Sequence, residues 1–330
     1  MSAETKPAAV SCSGQGKVMV IGGKGFIGSA VVRRLLAAGR EVCCVEPRTT
    51  PGRLGDLGDA VEIVHGDVRD LEGLHGLLVE SGAEAVVTLP FFRGPSLYEE
   101  LEILGRGTWV VFEACRLAGV RRVIFPSSVR VYGMQDPLGT QPKNEQSDCV
   151  PLGWYGAIKR AGELIASEYN ERFGMEIVAV RIAAAYGPGI REGAAGVAAA
   201  PVGAAGEGKV ELPYLPEARQ CLIHVDDIAA SVDAMLAARP PQYAAYELGG
   251  QTVSYREMAH ISEQLVPGAS VDFVCRAEHP ELTFAYLTDN QRLRQEFGIE
   301  HRSVEAGYRE IVEGLVDAAG DRAGEVRAGG

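Results

Sequence analysis

The sequence predicts an α/β protein: a doubly wound parallel sheet followed by a smaller C-terminal α/β substrate-binding lobe. Three observations carry this. An apolar run, Lys17 to Ile21, breaks into glycines and then into an amphipathic helix. Strand-like and helix-like stretches go on alternating as far as Ile182, the pattern of a parallel sheet covered on both faces. A length of 330 residues leaves material for a second lobe and an ample core.

In the opening unit the glycines Gly22, Gly25 and Gly28 are spaced three apart, and Ser29 to Ala38 repeats apolar residues at helical spacing until Gly39 stops it. Gly22 permits a sharp exit from the strand. Gly25 leaves backbone amides open to a pyrophosphate, and Gly28 lets the helix lie close on the sheet. The helix N-terminus offers unpaired N–H groups to phosphate. With Phe26 and Ile27 between the glycines, this is a dinucleotide cradle in the context such a cradle needs. The next strand, Glu41 to Val45, ends in Glu46, placed to accept from ribose hydroxyls. Glu46 repels a 2′-phosphate and favours NAD; Lys24 and Arg48 are the charges that would favour NADP, the second choice.

Pro47 to Asp59 reads as a loop with a short helix, and Val61 to Val68 as a third strand ending in Asp67. A helix over Leu71 to Ser81, a strand over Ala85 to Pro90 and a helix from Leu97 to Ala118 follow. The fifth strand, Val120 to Ser128, ends in two hydroxyls; a Pro- and Gly-rich loop, Gly133 to Gly153, leads to a long helix from Trp154 to Phe173. Glu176 to Ile182 is the sixth strand, and Tyr186-Gly187-Pro188-Gly189 is a turn by composition. Gly193 to Gly208, almost all Ala and Gly, reads either as a mobile segment or weak helix beside a ligand cleft, or as a disordered surface loop. Cys221 to Asp227 is a strand, with Asp226 or Asp227 capping a helix over Ile228 to Ala238. Tyr246 to Gly250 is a short strand, and Tyr255 to Val316 alternates helices with one strand near Val271 to Val274.

Composition removes several classes of function. No apolar run can span a bilayer. Residues 1–16 lack the basic start and apolar middle of a signal peptide and read as a disordered leader, and residues 318–330 read as a flexible tail. A net charge of −12 argues against nucleic acid or an anionic membrane as a partner. Seven cysteines without a C-x-x-C pair fit neither a disulfide framework nor a zinc site; they read as small core residues in a reducing cytoplasm, with no metal expected.

The chemistry sits on Tyr155 and Lys159, four apart on one helix face. A phenol is a poor base at neutral pH, and an ammonium one turn away is expected to lower its pKa. Ser128, at the end of the neighbouring strand, can bind a substrate oxygen beside the phenol. Together they can move a proton on or off an alcohol while a hydride leaves or joins its carbon.

Five motifs in register, including Gly22 to Gly28, Ser127 to Gly133, Tyr155 to Lys159, Tyr186 to Gly189 and His224 to Asp227, resemble the extended short-chain dehydrogenase/reductases, the NAD-dependent epimerase/dehydratase family. The resemblance implies a Rossmann domain over residues 17–186 joined by 221–249, and a substrate lobe from 187–220 and 250–317. It implies Ser128, Tyr155 and Lys159 as catalytic residues, Lys159 also binding the nicotinamide ribose. Asp67 and Val68 would hold the adenine, Leu89 and Pro90 would line the cofactor, and a homodimer is common in the family.

Departures from the family pattern bear on the substrate. Ala184 stands where nucleotide-sugar enzymes carry Asn, Gln220 where they carry a diphosphate-binding Arg, and Val129-Arg130 where dehydratases carry an Asp-Glu pair. Pro90-Phe91-Phe92 replaces small residues, as an aromatic pocket wall or as plain core. Phe91, Ser128, Arg130, Ala184 and Gln220 are therefore the candidate substrate contacts. The expected activity is reversible hydride transfer at a secondary alcohol or ketone of a sugar-like or small biosynthetic substrate. The alternatives are an epimerase that oxidises transiently and a catalytically silent NAD-binding regulator.

Overall fold

A computed structural model describes residues 16–135, 140–190, 208–237, 241–274 and 287–314. The leader (apart from Gly16), the Ala/Gly stretch (apart from Gly208) and the tail lie outside the described residues.

Seven parallel strands form the main sheet: β1 (Val18–Ile21), β2 (Val42–Glu46), β3 (Glu62–His65), β4 (Ala85–Thr88), β5 (Arg122–Ser128), β6 (Glu176–Ile182) and β10 (Ala245–Leu248). They lie in the order β10-β6-β5-β4-β1-β2-β3. Period-two alternation in β1 sends Val18 and Val20 to one core and Met19 and Ile21 to the other. Helices α1 (Phe26–Ala37) and α6 (Val225–Ala237) cover the first face, through residues such as Val31, Leu35 and Ile228. On the second face lie α2 (Leu71–Ser81), α4 (Gly107–Leu117) and α5 (Trp154–Phe173), which bury Leu74, Phe112 and Ala166. Each large apolar side chain so buried contributes about 1.5–3 kcal/mol. The chain reverses direction about β1, flanked by β2 and β4, so a crevice opens at the carboxyl ends of those strands.

Two smaller sheets stand beyond this crevice. One joins β7 (Ala184–Tyr186), β9 (Arg219–His224) and β11 (Gln251–Ser254); the other pairs β8 (Lys209–Leu212) with β12 (Ser270–Phe273). Helix α7 (Tyr255–Leu265) and residues 304–314 pack on them around Tyr186, Tyr255 and Tyr308.

Several boundaries move. The helix expected over Leu97 to Ala118 contains a π-helical turn, Glu102–Arg106, between α3 (Leu97–Leu101) and α4. Two glycines, Gly105 and Gly107, sit at that turn, and a Cβ on Gly107 would meet Val68 at 2.6 Å, so the helix approaches β3's exit closely. The strand expected through Asp227 ends at His224, and α6 begins at Val225. Asp226 and Asp227 are therefore first-turn residues rather than caps, and Asp227 accepts from the Arg302 backbone N–H at 2.9 Å. Strands β7, β8 and β11 carry no signal noted in the sequence.

Candidate active site

A cavity of about 810 Å³ runs along the carboxyl ends of the main-sheet strands. Its floor begins at the glycine turn. Gly22 takes φ +82°, and a Cβ there would lie 2.7 Å from the Leu89 carbonyl oxygen. A Cβ on Gly28 would lie 2.2 Å from the Gly22 carbonyl oxygen, backbone against backbone. Only glycine permits this turn, and it leaves the N-terminus of the 12-residue α1, uncapped by any side chain, opening on the cavity at Gly25, Phe26, Ile27 and Gly28.

Glu46 closes β2 and lines the cavity. One carboxylate oxygen accepts the Lys24 backbone N–H at 2.6 Å. Burial raises the pKa of this carboxyl, opposed by that hydrogen bond and by the Lys24 charge. The Lys24 ammonium donates to the carbonyls of Arg48 and, at 2.8 Å, Thr50, which pins it to the loop after β2. Asp67 and Val68 line the cavity just beyond β3, with the Asp67 pKa held down by the bidentate Arg69 guanidinium beside it. Leu89 and Pro90 continue the wall past β4.

At the other end Ser128 closes β5 and Tyr155 and Lys159 project from the first turns of α5. Ser128 Oγ accepts the Arg130 N–H at 3.3 Å, capping the short 3₁₀ turn that follows. Tyr155 is half-buried, wedged edge-on between Phe91 and Trp154 with ring centroids at 6.4 and 5.9 Å. Lys159 is buried with its Nζ over the Phe125 and Tyr155 rings, 5.2 and 5.6 Å from their centroids. That placement corrects the expected electrostatics. Burial raises the Tyr155 phenol above its ordinary range, and the opposing pulls come from Arg130, Arg93 and a hydrogen bond with Ser128 rather than from Lys159. Lys159 itself is pushed down to about 8 by burial.

Ser127, beside Ser128, turns into a different network. Its hydroxyl donates to Glu163 at 2.5 Å, and Glu163 takes both arms of Arg181 at 2.8 Å. Arg181 reaches Tyr132 at 2.7 Å, and the Tyr132 hydroxyl donates to the fully buried Glu247.

The cavity thus brings together Gly22, Gly25, Phe26, Ile27, Gly28, Glu46, Asp67, Val68, Leu89, Pro90, Phe91, Ser128, Tyr155, Lys159 and Ala184. Arg48, Arg130 and Gln220 do not line it; Gln220 donates to the Tyr255 hydroxyl at 3.1 Å, and Arg48 and Arg130 are exposed. Phe91 is 64% exposed, a cavity wall rather than core. Phe92 lines the cavity beside Phe91, while sequence reasoning missed Arg53, Arg69 and Ile190 among the lining residues. Arg53 bridges the cavity's flank, donating to the Gly189 carbonyl at 2.8 Å with its guanidinium 5.8 Å from the Phe26 ring centroid. Nothing distinguishes Arg53 from Arg48 in an Arg-rich loop, whereas Arg69 follows Asp67 by two residues. Away from the cavity, His224, Asp226 and Glu310 bring ligand atoms within 4.8 Å of one another. Arg302 already supplies the cation there, 2.6 Å from Glu310 and 3.8 Å from Asp226.

The model of the NAD-dependent epimerase/dehydratase family matches residues 18–249. The chain belongs to this family, the extended short-chain dehydrogenase/reductases. A UDP-glucose 4-epimerase of Corynebacterium glutamicum is 30% identical over 182 residues, covering 52% of this chain and 53% of that protein. The chain spans about half the length of such epimerases. A dTDP-glucose 4,6-dehydratase of Streptomyces niveus is 27% identical over 90% of this chain and 92% of its own. Among solved structures, the UDP-glucose 4-epimerase of Thermus thermophilus in complex with NAD has TM-score 0.77 and 25% identity, covering 90% of this chain and 98% of that one. The glycine turn with no room for a Cβ, the open helix N-terminus and the acid ending β2 fit a dinucleotide. Among the described residues no helix is long and apolar enough to cross a membrane.

Proposed function

We propose that the chain is an NAD-dependent oxidoreductase that interconverts a secondary alcohol and a ketone on a sugar-like or small biosynthetic substrate. The observation that carries this is the position of Ser128, Tyr155 and Lys159 at one end of a cavity whose other end is the glycine turn with Glu46. The glycine turn and α1 N-terminus would hold the pyrophosphate, Glu46 the adenosine ribose, Asp67 and Val68 the adenine, and Leu89, Pro90 and Lys159 the nicotinamide half. When bound, NAD supplies the acceptor, and in reverse the donor, for the hydrogen and electron pair at the carbinol carbon. Tyr155 holds or releases the hydroxyl proton at its phenolic oxygen, and Ser128 orients the substrate oxygen against it. Because burial sets the phenol above its ordinary range, oxidation speeds up as pH rises. NAD rather than NADP follows from Glu46 lining the cavity while Arg48 does not.

Tyr155→Phe tests the assignment: turnover falls about 100- to 10,000-fold while NAD affinity, measured by calorimetry, stays within a few-fold. Retention of most of the activity removes Tyr155 from its role. An epimerase reading is favoured by the relatives that carry that name; net accumulation of NADH with substrate decides against it. The silent-regulator reading has Ser128, Tyr155 and Lys159 against it, all three gathered in the cavity. Dehydration of the 4,6 type lacks its acid pair, since Val129 and Arg130 stand there.

The small sheets and α7 make up the substrate lobe in this reading. We also propose a homodimer built on exposed apolar residues of α3, α4 and α5, among them Leu97, Tyr98, Trp109, Leu164 and Phe173. Light scattering of the purified chain checks it, a monomer's mass counting against it. A cytoplasmic setting rests on the free thiols Cys43, Cys44, Cys115, Cys149 and Cys221.

A further inference from the structure

The cavity divides by chemistry. Its charged lining residues, among those described, are Lys159 and a set that stands at or just past the ends of β2 and β3: Glu46, Arg53, Asp67 and Arg69. The lining contributed after β4 and β6 is hydrocarbon: Pro90, Phe91 and Phe92 from one segment, and Ala184, Ala185 and Ile190 from the other. Phe91 packs edge-on against the Tyr155 ring, centroid to centroid 6.4 Å, and still keeps 64% of its surface exposed. Outside the cavity the apolar surface goes on. Leu152, three residues before Tyr155, has its Cγ 3.5 Å from where a Cβ on Gly133 would stand, which brings it beside Met134, and both are more than half exposed. The polar side chains in the described lining of this half are Ser127, Ser128, Tyr155 and Lys159. The Ser127 hydroxyl donates to Glu163, and Lys159 lies over the Phe125 and Tyr155 rings, assigned above to the nicotinamide half. Ser128 and Tyr155 remain, and both are taken by the one oxygen that reacts.

A large aromatic side chain left exposed on a cavity wall is a surface for hydrocarbon. With the reacting oxygen between Ser128 and Tyr155, a group on the same carbon comes within reach of the Phe91 ring, which touches that tyrosine. A second hydroxyl placed there gives up its water and meets hydrocarbon, which costs binding free energy. An alkyl or aryl group is buried there with a gain proportional to its area. We infer that the alcohol oxidised beside Tyr155 carries an apolar substituent, aliphatic or aromatic, laid on Phe91, so that the substrates are hydrophobic secondary alcohols and their ketones rather than polyhydroxylated sugars. In the step, the carbinol carbon passes its hydrogen, with both electrons of the C–H bond, to NAD. The hydroxyl proton goes to Tyr155, and the C=O bond that forms leaves the substituent untouched. This rests on the oxidoreductase reading and narrows its substrate class.

The test uses the full-length, NAD-loaded protein with a ladder of secondary alcohols from propan-2-ol to octan-2-ol, beside glucose, galactose and myo-inositol. Each added methylene should raise kcat/KM about 4-fold until the substituent outgrows the wall, and the polyols should stay about 100-fold or more below octan-2-ol. A second arm needs no turnover. Octan-2-one and acetophenone should bind the NAD-loaded protein about 10-fold or more tightly than acetone does, read by calorimetry. Phe91→Ser should flatten both the ladder and the difference among ketones, Phe91→Leu should keep most of each, and NAD affinity should stay within a few-fold in both variants. A flat ladder with equal ketone affinities overturns the inference, and so does a preference that survives in Phe91→Ser. A fall in NAD affinity that matches the loss of ketone binding also overturns it, by giving the wall to the nicotinamide. Tight binding of octan-2-one with no alcohol oxidised would keep the apolar site and count against the oxidoreductase reading. Oxidation of the polyols with a flat ladder would leave the oxidoreductase reading standing and remove this one.

Discussion

At the β2–β3 end of the cavity, each carboxylate is held by a donor from its own neighbourhood. Glu46 takes the Lys24 N–H across the glycine turn, and Asp67 takes Arg69 two residues on. At the β5–α5 end the ionisable groups come from distant stretches and settle against aromatic faces: Lys159 over Phe125 and Tyr155, Arg93 over Trp154. The difference separates two ways of building a site. Hydrogen bonds to backbone and near neighbours fix the first end in place before any ligand arrives. The second end is held by packing, which leaves its polar tips to be partnered by what binds.

The largest effect on this contrast is expected at the first end, where a change to the backbone cannot be absorbed. Gly28→Ala puts a methyl 2.2 Å from the Gly22 carbonyl oxygen, with backbone on both sides. The turn must shift, and overpacking of this kind costs about 1–3 kcal/mol. NAD affinity should fall on the order of 100-fold, read by calorimetry. Fluorescence reporting on Trp154 at the other end should stay as in the wild type. An unchanged affinity would mean that the turn is not the cradle.

A smaller effect is expected at Glu46. In Glu46→Gln one side-chain oxygen can still accept the Lys24 N–H, while the charge is lost, so the turn survives and only the electrostatic choice changes. The preference for NAD over NADP should shrink by about 10-fold without inverting. Inversion is not expected because the Lys24 ammonium is tied to the Arg48 and Thr50 carbonyls and Arg48 stays outside the cavity. Measured kcat/KM for both cofactors settles it; an inverted preference would place one of those cations on the 2′-phosphate.

The first end was also the legible one. Glycine spacing, a strand ending in acid and Asp67 at the end of the next run are local patterns, and each residue stands where its own element puts it. The four-residue spacing of Tyr155 and Lys159 was equally readable, but spacing fixes only that two side-chain stems share a face. Where the ammonium comes to rest depends on Phe125, thirty-odd residues away, and so the expected lowering of the phenol by Lys159 did not follow from it. Arg53 and Arg93 were invisible for the same reason, since each is one arginine in a loop until the fold supplies Gly189 or Trp154. Strand β7 is three residues of small and aromatic character that pair only because β9 arrives beside them.

The smallest expected effect concerns what backs the second end. Behind Ser127 the chain of Glu163, Arg181 and Tyr132 ends at Glu247, on β10 directly across from Arg181. Glu247 lies 3.5 Å from that guanidinium, which favours its charged form, yet burial outweighs the pairing and pushes its pKa up to about 8. Among the described residues one of its oxygens has no hydrogen-bond partner. At neutral pH the folded protein therefore holds a proton here that the unfolded chain, with an ordinary carboxyl, has released. Between roughly pH 4.5 and 8 the native state binds more protons than the unfolded one, so this group makes stability fall as pH rises. Glu247→Gln imitates the protonated form and should remove that component of the slope. Between pH 5 and pH 8 the wild type should lose a few degrees more in Tm than the variant. Activity at the Tyr155 end should change little, because the network meets the cavity through Ser127 and not through Ser128. Parallel Tm profiles for the two proteins would mean that Glu247 is ionised in the fold and that the Arg181 pairing, not burial, sets its state.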